Sequence, residues 1–153
     1  MKDEYKNLRE DVLDEEEAIE ETLERIYEVR TKFDPQIKDY LTEPAMGTYL
    51  MNFYNGIENI LKRISKEYYL TMPKGESWHK ELLVLSFNPP KGKIPILNQG
   101  IVERLHPYRN FRHRFISGYG FQLRGEKMLD LVDNIEPLWI DIKKAISDFW
   151  DKL

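Results

Sequence analysis

One short segment of the chain, Tyr108 to Leu123, concentrates residue types that handle phosphate groups. Its sequence, YRNFRHRFISGYGFQL, holds Arg109, Arg112, His113, Arg114 and Tyr119. An arginine fork can bind two oxygens of a phosphodiester, and a histidine, with a reference pKa of about 6.5, can move the proton of a ribose 2′-hydroxyl. Positions three or four apart on a helix share a face, so Arg109, Arg112 and His113 are expected to converge on one concavity.

These are the parts of a metal-independent ribonuclease, with Arg109, Arg112 and Arg114 as the candidate phosphate or RNA ligands. A helix with several arginines, one histidine and one tyrosine is more often a charged, partly packed surface than an active site. Both interpretations stay open on composition alone.

Length and composition set the class of protein to expect. The chain has 153 residues, 41% of them hydrophobic, which suits one compact domain spanning residues 1–153. The absence of cysteine excludes a disulfide framework, a Cys-ligated zinc site and thiol catalysis, and fits a reducing cytoplasm. The polar, acidic first residues and the lack of a long apolar run predict neither a secretion signal nor a membrane span.

Charge is distributed unevenly along the sequence. Residues 1–24 contain 11 acidic and three basic residues, a net charge of −8, although the whole chain carries only −4. Residues 100–127 contain six basic and two acidic residues, a net charge of +4, which can attract an anion. The acidic run is interpreted as a solvated helix face, with an acidic docking surface for a basic partner as the alternative.

Apolar residues recur at helical spacing through most of the chain. The first stripe, which should end just before Pro35, is formed by Leu8, Val12, Ile19, Leu23, Ile26 and Phe33. A second, from about Ala45 to Glu67, is formed by Leu50, Phe53, Ile57, Ile60, Leu61 and Ile64. A last one, from about Gly125 to the C-terminus, is formed by Met128, Leu131, Ile135, Leu138, Ile142, Ile146 and Phe149.

Two more helices are expected between these. Ser77 is a candidate N-cap for a short helix that Asn88, Pro89 and Pro90 stop. A fourth helix should start near Asn98 and carry the basic segment, with Pro107 allowed only by a kink or by a helix start near it. Gly118 and Gly120 should end or bend this helix. Pro137 is expected to mark a bend. Without β-alternation or repeats, the predicted fold is all-α, an antiparallel up-and-down bundle of four to five helices.

Several polar residues outside the basic segment are candidates for supporting its arginines. Asn55, Glu58 and Asn59 lie in an otherwise apolar helix and are expected to face the basic cluster, with Glu58 in a buried ion pair with an arginine. His79 is interpreted as a packed residue at a helix start. Glu103 and His106 form one Glu-x-x-His spacing without a second copy, so no metal site is predicted. Four tyrosines could stack on nucleic-acid bases but are interpreted as core and rim aromatics: Tyr49, Tyr54, Tyr68 and Tyr69.

Three motifs in order carry a family resemblance. YNGIENILKRI (Tyr54 to Ile64), MPKGESWHKELL (Met72 to Leu83) and FRHRFISGYGFQL (Phe111 to Leu123) together resemble the HepT-like branch of the HEPN superfamily, over roughly residues 45–135. The resemblance implies an up-and-down helical bundle that dimerises, with the site at the dimer cleft. It also implies membership of a toxin-antitoxin pair with a minimal nucleotidyltransferase as the partner protein.

The catalytic signature of HepT-type toxins is an arginine, four residues, a histidine, one residue and a tyrosine. In this sequence it corresponds to Arg112, Ser117 in the histidine position, and Tyr119. The resemblance implies that Arg112 supports RNA binding and cleavage and that the partner nucleotidylates Tyr119. A serine with an ordinary pKa is a poor general base. His113 could substitute for the missing histidine, the chain could be a non-catalytic relative, or the serine could be an inactivating change.

The expected function is therefore a HepT-like component of a toxin-antitoxin pair with a degenerate ribonuclease motif. The catalytic candidates are Arg112, His113 and Ser117. The alternative is a non-catalytic protein that binds nucleotide or a partner. The expected partners are RNA rather than DNA, a minimal nucleotidyltransferase and a second copy of the chain, and no cofactor is expected.

Overall fold

A computed structural model describes residues 2–37, 39–119 and 125–153, and these residues form a helical bundle. The described part contains five α-helices and no strand, so the predicted all-α bundle is confirmed. The helices are α1 (Lys6–Lys32), α2 (Thr42–Ile64), α3 (Trp78–Phe87), α4 (Gln99–Arg114) and α5 (Gly125–Lys152). A 3-10 turn, Asp3–Tyr5, precedes α1, and π-helical turns extend α2 through Ser65–Tyr69 and α4 through Phe115–Tyr119.

Contacts between side chains show that neighbouring long helices run in opposite directions. Along the α1–α2 pair, Arg63 lies 3.3 Å from Asp11 and Asn59 lies 3.5 Å from Glu15. Residues later in α1 thus contact residues earlier in α2, so the two helices are antiparallel. The same reversal relates α4 to α5, where Arg104 pairs with Asp141 and the Tyr108 hydroxyl donates to the Leu131 carbonyl. α1 is also antiparallel to α5, because Arg30 pairs with Asp133 and Glu20 with Lys143. The four long helices therefore follow an up-down-up-down course, with short α3 between α2 and α4.

The apolar stripes predicted from the sequence supply the core. Every member of the first two stripes is buried, and so is every member of the α5 stripe except the half-buried Leu131. Phe53 of α2 stands edge-on to Tyr108 of α4, with ring centroids 5.5 Å apart, and to Trp139 of α5, with centroids 6.4 Å apart. Burial of such large side chains, each worth about 1.5–3 kcal/mol, holds α4 and α5 against α2.

The start of α2 differs from the prediction. The helix begins at Thr42, three residues before Ala45, so Pro44 lies within its first turn. A proline is tolerated there because the first N–H groups of a helix have no partner inside it. The Asp39 carboxylate accepts from the N–H groups of Leu41 and Thr42, at 2.8 and 3.2 Å, and so satisfies the entry to the helix.

The helices on either side of the 88–98 loop begin differently. Ser77 occupies the N-cap position of α3 but its side chain makes no capping hydrogen bond, so the expected serine cap is wrong in that respect. Asn98 does cap α4, because its side-chain oxygen accepts from the N–H of Ile101 at 2.8 Å. The loop between them is fixed by Tyr69, whose hydroxyl donates to the Ile94 carbonyl and accepts from the N–H of Ile96.

The helix assignment continues through both prolines that were expected at a kink or bend. Pro107 lies inside α4 and Pro137 inside α5. Gly118 belongs to the π-helical turn that extends α4, and Gly120 lies outside the described residues. Over the described ranges, no helix has the length and apolar character needed to cross a bilayer.

Candidate functional site

An open cleft of about 1200 Å³ lies where the start of α3, the second half of α4 and the start of α5 meet. Its basic lining residues are Lys80, Arg109, Arg112, Arg114 and Lys127. His79 and His113 also line it, and the acidic lining residues are Glu76 and Asp130. Positive charge therefore exceeds negative charge around the cleft, although the whole chain carries −4. Such a concavity focuses the field that attracts an anion.

Arg112 is held from behind by two residues of α2. Its Nε donates to the side-chain oxygen of Asn55 and lies 4.0 Å from Oε1 of Glu58. Only 23% of the Arg112 side chain is exposed, and that part faces the cleft. Since Nε is occupied, the two terminal nitrogens of the guanidinium remain as a planar pair of donors, the arrangement that fits two phosphate oxygens.

Glu58 is a buried carboxylate in an apolar helix. Its side chain is 2% exposed, and its second oxygen, Oε2, lies 2.6 Å from Nδ1 of His79. The predicted pairing of Glu58 with an arginine is thus observed as one of two contacts. Asn59, which was expected to face the same cluster, instead points to α1 and donates to Glu15 at 3.5 Å, so that expectation is wrong.

His79 contributes more than the packing role the sequence suggested. It is the second residue of α3, its ring lies against that of Trp78 with centroids 3.5 Å apart, and 26% of its side chain is exposed. The Glu58 contact joins two helices across 21 residues, so helical spacing does not predict it. One sequence signal did point to it: a glutamate within an apolar stripe requires a polar partner when buried.

The tyrosines are core residues rather than a stacking surface. Tyr54, Tyr68 and Tyr69 are buried, and Tyr49 is half-buried. Burial, and after it the neighbouring Glu58 carboxylate, raises the pKa of Tyr54, so its hydroxyl stays protonated beneath the cleft. Burial likewise raises the pKa of Tyr69 and of Tyr108.

The other arginines of the basic segment lie along the cleft as predicted. Arg109 is half-buried, and its Nε is enclosed without a hydrogen-bond partner among the described residues. Arg114 and His113 are exposed at the edge of the cleft. The structure therefore brings Arg109, Arg112, Arg114 and His113 together around one concavity.

Ser117, the residue in the motif's histidine position, is outside the cleft lining. Its hydroxyl is exposed and donates to the backbone carbonyl of His113 at 2.8 Å. Among the described residues, no histidine ring and no carboxylate forms a hydrogen bond with this hydroxyl, so no general base is placed to deprotonate it. Tyr119 closes the π-helical turn, but its side chain lies outside what the structure describes, as do residues 120–124.

Glu103 and His106 are the Glu-x-x-His pair noted in the sequence. Within residues 2–37, 39–119 and 125–153, no group of three or more histidine, aspartate or glutamate side chains is placed to hold a metal ion. The Nδ1 atom of His106 is buried without a hydrogen-bond partner in the same ranges.

Comparison with known proteins identifies one family. A family model described as HepT-like protein matches residues 45–153, from the first turns of α2 to the end of the chain. The match includes every residue that lines the cleft and excludes all of the acidic α1. No curated protein and no solved structure matches the chain.

Proposed function

Because the chain belongs to the HepT-like branch of the HEPN superfamily, we propose that it binds RNA in the basic cleft and cleaves the RNA backbone without a metal ion. The supporting observation is that three arginines and two lysines converge on one concavity, with Arg112 anchored on Asn55 and Glu58. Fixed cationic donors can bind a phosphodiester and stabilise the extra negative charge of the pentavalent transition state.

The experiment is a cleavage assay with purified protein and end-labelled single-stranded RNA in excess EDTA. We expect fragments that end in 2′,3′-cyclic phosphate, because attack by the neighbouring 2′-hydroxyl needs no metal-bound water. Arg112→Ala should slow cleavage by at least about 100-fold. Lys144→Ala, which removes an exposed positive charge from α5 outside the cleft, is the matched control. RNA left intact at high protein concentration would contradict cleavage.

A second candidate function is RNA or nucleotide binding without catalysis. The observation in its favour is Ser117, whose hydroxyl is engaged with a backbone carbonyl where active relatives carry the motif histidine. The same assay separates the two functions when paired with a binding measurement. RNA that is retained by the wild-type protein, released by Arg112→Ala and never cut would identify the binding function.

We further propose that this protein is one member of a cytoplasmic toxin-antitoxin pair whose other member is a minimal nucleotidyltransferase, and that Tyr119 is the residue the partner modifies. Incubation with such a partner and ATP should add nucleotide mass to the wild-type chain and none to Tyr119→Phe. We also propose a homodimer with the cleft near its interface. Light scattering should then give twice the 18.4 kDa chain mass, and a monomer would contradict that arrangement.

A further inference from the structure

We propose that His79, oriented by Glu58, is the general base of the cleft and takes the role that Ser117 cannot fill. The inference rests on the proposed RNA cleavage. It assigns the proton-transfer step to a residue on α3, outside the segment that carries the arginine-histidine-tyrosine signature.

The contact with Glu58 fixes which nitrogen of His79 is free. A carboxylate accepts hydrogen bonds and has none to donate, so the 2.6 Å contact places the proton on Nδ1. In the neutral ring the lone pair is then on Nε2, at the opposite edge of the ring from the buried carboxylate. Nε2 has no hydrogen-bond partner among the described residues, and His79 lines the cleft. A base with this tautomer is prepared to accept a proton.

The orientation of the ring is constrained on its face as well as at Nδ1. The ring lies against Trp78, and the Nζ atom of Lys62, a residue of α2, lies 4.6 Å from the centre of the Trp78 ring. Glu58 is itself fixed inside α2 and is 2% exposed. His79 is therefore held to α2 directly by Glu58 and indirectly through Trp78, so folding already orders the ring before RNA binds.

Glu58 also joins His79 to Arg112, the residue proposed to bind the phosphate. The two oxygens of this one carboxylate contact different partners, Oε1 facing Nε of Arg112 at 4.0 Å and Oε2 facing Nδ1 of His79. Both residues line the same cleft, so a phosphodiester bound there by the terminal nitrogens of Arg112 would share that cleft with the ring of His79. A 2′-hydroxyl next to that phosphate comes within reach of the histidine.

The competing histidine is less well placed. His113 is exposed at the edge of the cleft, and its ring has no hydrogen-bond partner among the described residues to set its tautomer or orientation. His79 is the histidine of the described cleft whose other nitrogen is held by a buried carboxylate. The arrangement has the logic of an acid-histidine pair in which the acid orients the base.

The proposed step is an internal transesterification of RNA. The 2′-oxygen of a ribose forms a bond to the adjacent phosphorus while its proton moves to Nε2 of His79. The bond from phosphorus to the 5′-oxygen of the next nucleotide breaks, and that oxygen leaves with the electron pair and takes a proton from water. His79 returns its proton to the resulting hydroxide. The products are a 2′,3′-cyclic phosphate and a free 5′-hydroxyl.

The test compares three variants in the RNA cleavage assay with EDTA and in a binding assay with the same RNA. His79→Ala should lower the cleavage rate by about 10²- to 10⁴-fold, the usual contribution of a general base, while changing the RNA Kd by less than about threefold. Free imidazole should restore part of the rate to His79→Ala, because the small base can enter the space left by the ring. His79→Asn keeps an N–H donor for Glu58 but has no basic nitrogen, so it should remain folded and stay inactive.

His113→Ala is the competing variant, and Lys144→Ala is again the matched control. The assignment would be overturned if His79→Ala cleaved RNA at the wild-type rate, or if His113→Ala lost more of the cleavage rate than His79→Ala did. Either result would leave the proposed function intact. A wild-type protein that binds RNA without cutting it would overturn cleavage itself, and the two failures are therefore distinguishable.

Discussion

Ser117 donates its hydroxyl hydrogen to the backbone carbonyl of His113, 2.8 Å away and one helical turn earlier. Serines on helices commonly bond back to the carbonyl four residues before them, and this bond is available without any functional partner. The serine proton is thus directed into the helix rather than toward the cleft, which argues that the motif position has lost its part in proton transfer.

Replacement of Ser117 by alanine should therefore change little. We expect Ser117→Ala to cleave RNA at a rate within about twofold of the wild-type rate. Its free energy of unfolding should lie within about 0.5 kcal/mol of the wild-type value, because the side chain is exposed and its one hydrogen bond is local. Initial cleavage rates and urea denaturation measure the two quantities. A loss of 100-fold or more, an amount on the scale of a general base, would show that the serine takes part.

The charge of Glu58 should matter more for cleavage than for folding. In Glu58→Gln the amide can donate to Nδ1 of His79, which moves the ring proton to Nε2 and removes the base. We expect cleavage to fall by about 100-fold or more, as a wrong tautomer does in other acid-histidine pairs. Arg112 keeps its bond to Asn55 in this variant, so the RNA Kd should stay nearly constant. A parallel rise in Kd would instead indicate that Glu58 acts through Arg112.

RNA binding in the cleft should weaken with salt in proportion to the number of phosphate contacts. Each contact to single-stranded nucleic acid contributes about 0.7 to the slope of log K against log salt concentration. Lys127→Ala should lower that slope by about one contact, because Lys127 lines the cleft. Lys144, about 17 residues further along α5 and thus about 25 Å away, should leave it unchanged. Equal effects from the two lysines would place the RNA elsewhere.

The fold was largely predictable because the apolar stripes are regular. Residues such as Leu8, Val12 and Ile19 recur at helical spacing and are all buried, so one face of α1 could be read from the sequence. The start of α2 was harder to predict from the sequence. Pro44 looked like a boundary, but the hydrogen bonds from Leu41 and Thr42 to Asp39 begin the helix before it, and a capping interaction of this kind depends on backbone geometry.

The candidate site was predictable only where it lies on one helix. Spacing alone brought Arg109, Arg112 and His113 to a common cleft, since all three are within two turns of α4. The pairing of Glu58 with His79 joins α2 to α3, and it depends on how the two helices pack rather than on spacing in either. For the same reason the sequence directed attention to Ser117, which lies on the motif but outside the cleft.

The acidic α1 is joined to α5 by a surface ion pair that should respond to pH. Nζ of Lys143 lies 2.5 Å from Oε1 of Glu20, and this hydrogen bond lowers the pKa of Glu20 below its ordinary value. A carboxyl with a lowered folded-state pKa stabilises the fold above its unfolded pKa and loses that contribution as pH falls through the folded value. Glu20→Gln should thus be less stable than wild type at pH 7, by less than about 1 kcal/mol for so exposed a pair.

Urea denaturation of wild type and Glu20→Gln at pH 7 and at acid pH measures this difference. The gap in unfolding free energy should close as the acid protonates Glu20, and high salt at pH 7 should also narrow it. Lys143→Met, which removes the partner instead, should abolish the effect of Glu20→Gln. A gap that persists below the folded pKa would mean that shape rather than charge links the two helices.

The close approach of α1 and α2 at Gly56 should tolerate no side chain. A Cβ on Gly56 would lie 2.5 Å from Cγ1 of Ile19, so the Ile19 side chain or one of the two helices would have to move. Overpacking of this kind costs about 1–3 kcal/mol, and the gain in helix propensity from glycine to alanine, at most about 1 kcal/mol, offsets only part of it. Gly56→Ala should therefore lower the free energy of unfolding although α2 itself becomes a better helix.

A double-mutant cycle identifies the cause. Ile19→Ala alone should cost about 2–5 kcal/mol as a core truncation, but it removes the Cγ1 and Cδ1 atoms that the new methyl group would meet. The double variant Ile19→Ala, Gly56→Ala should then lose less stability than the two single losses combined, by at least about 0.5 kcal/mol in urea denaturation. Strict additivity would show that Gly56 is needed for some reason other than contact with Ile19. Coupling would show that this glycine sets the spacing of α1 against α2, the helix on which Asn55 and Glu58 hold Arg112.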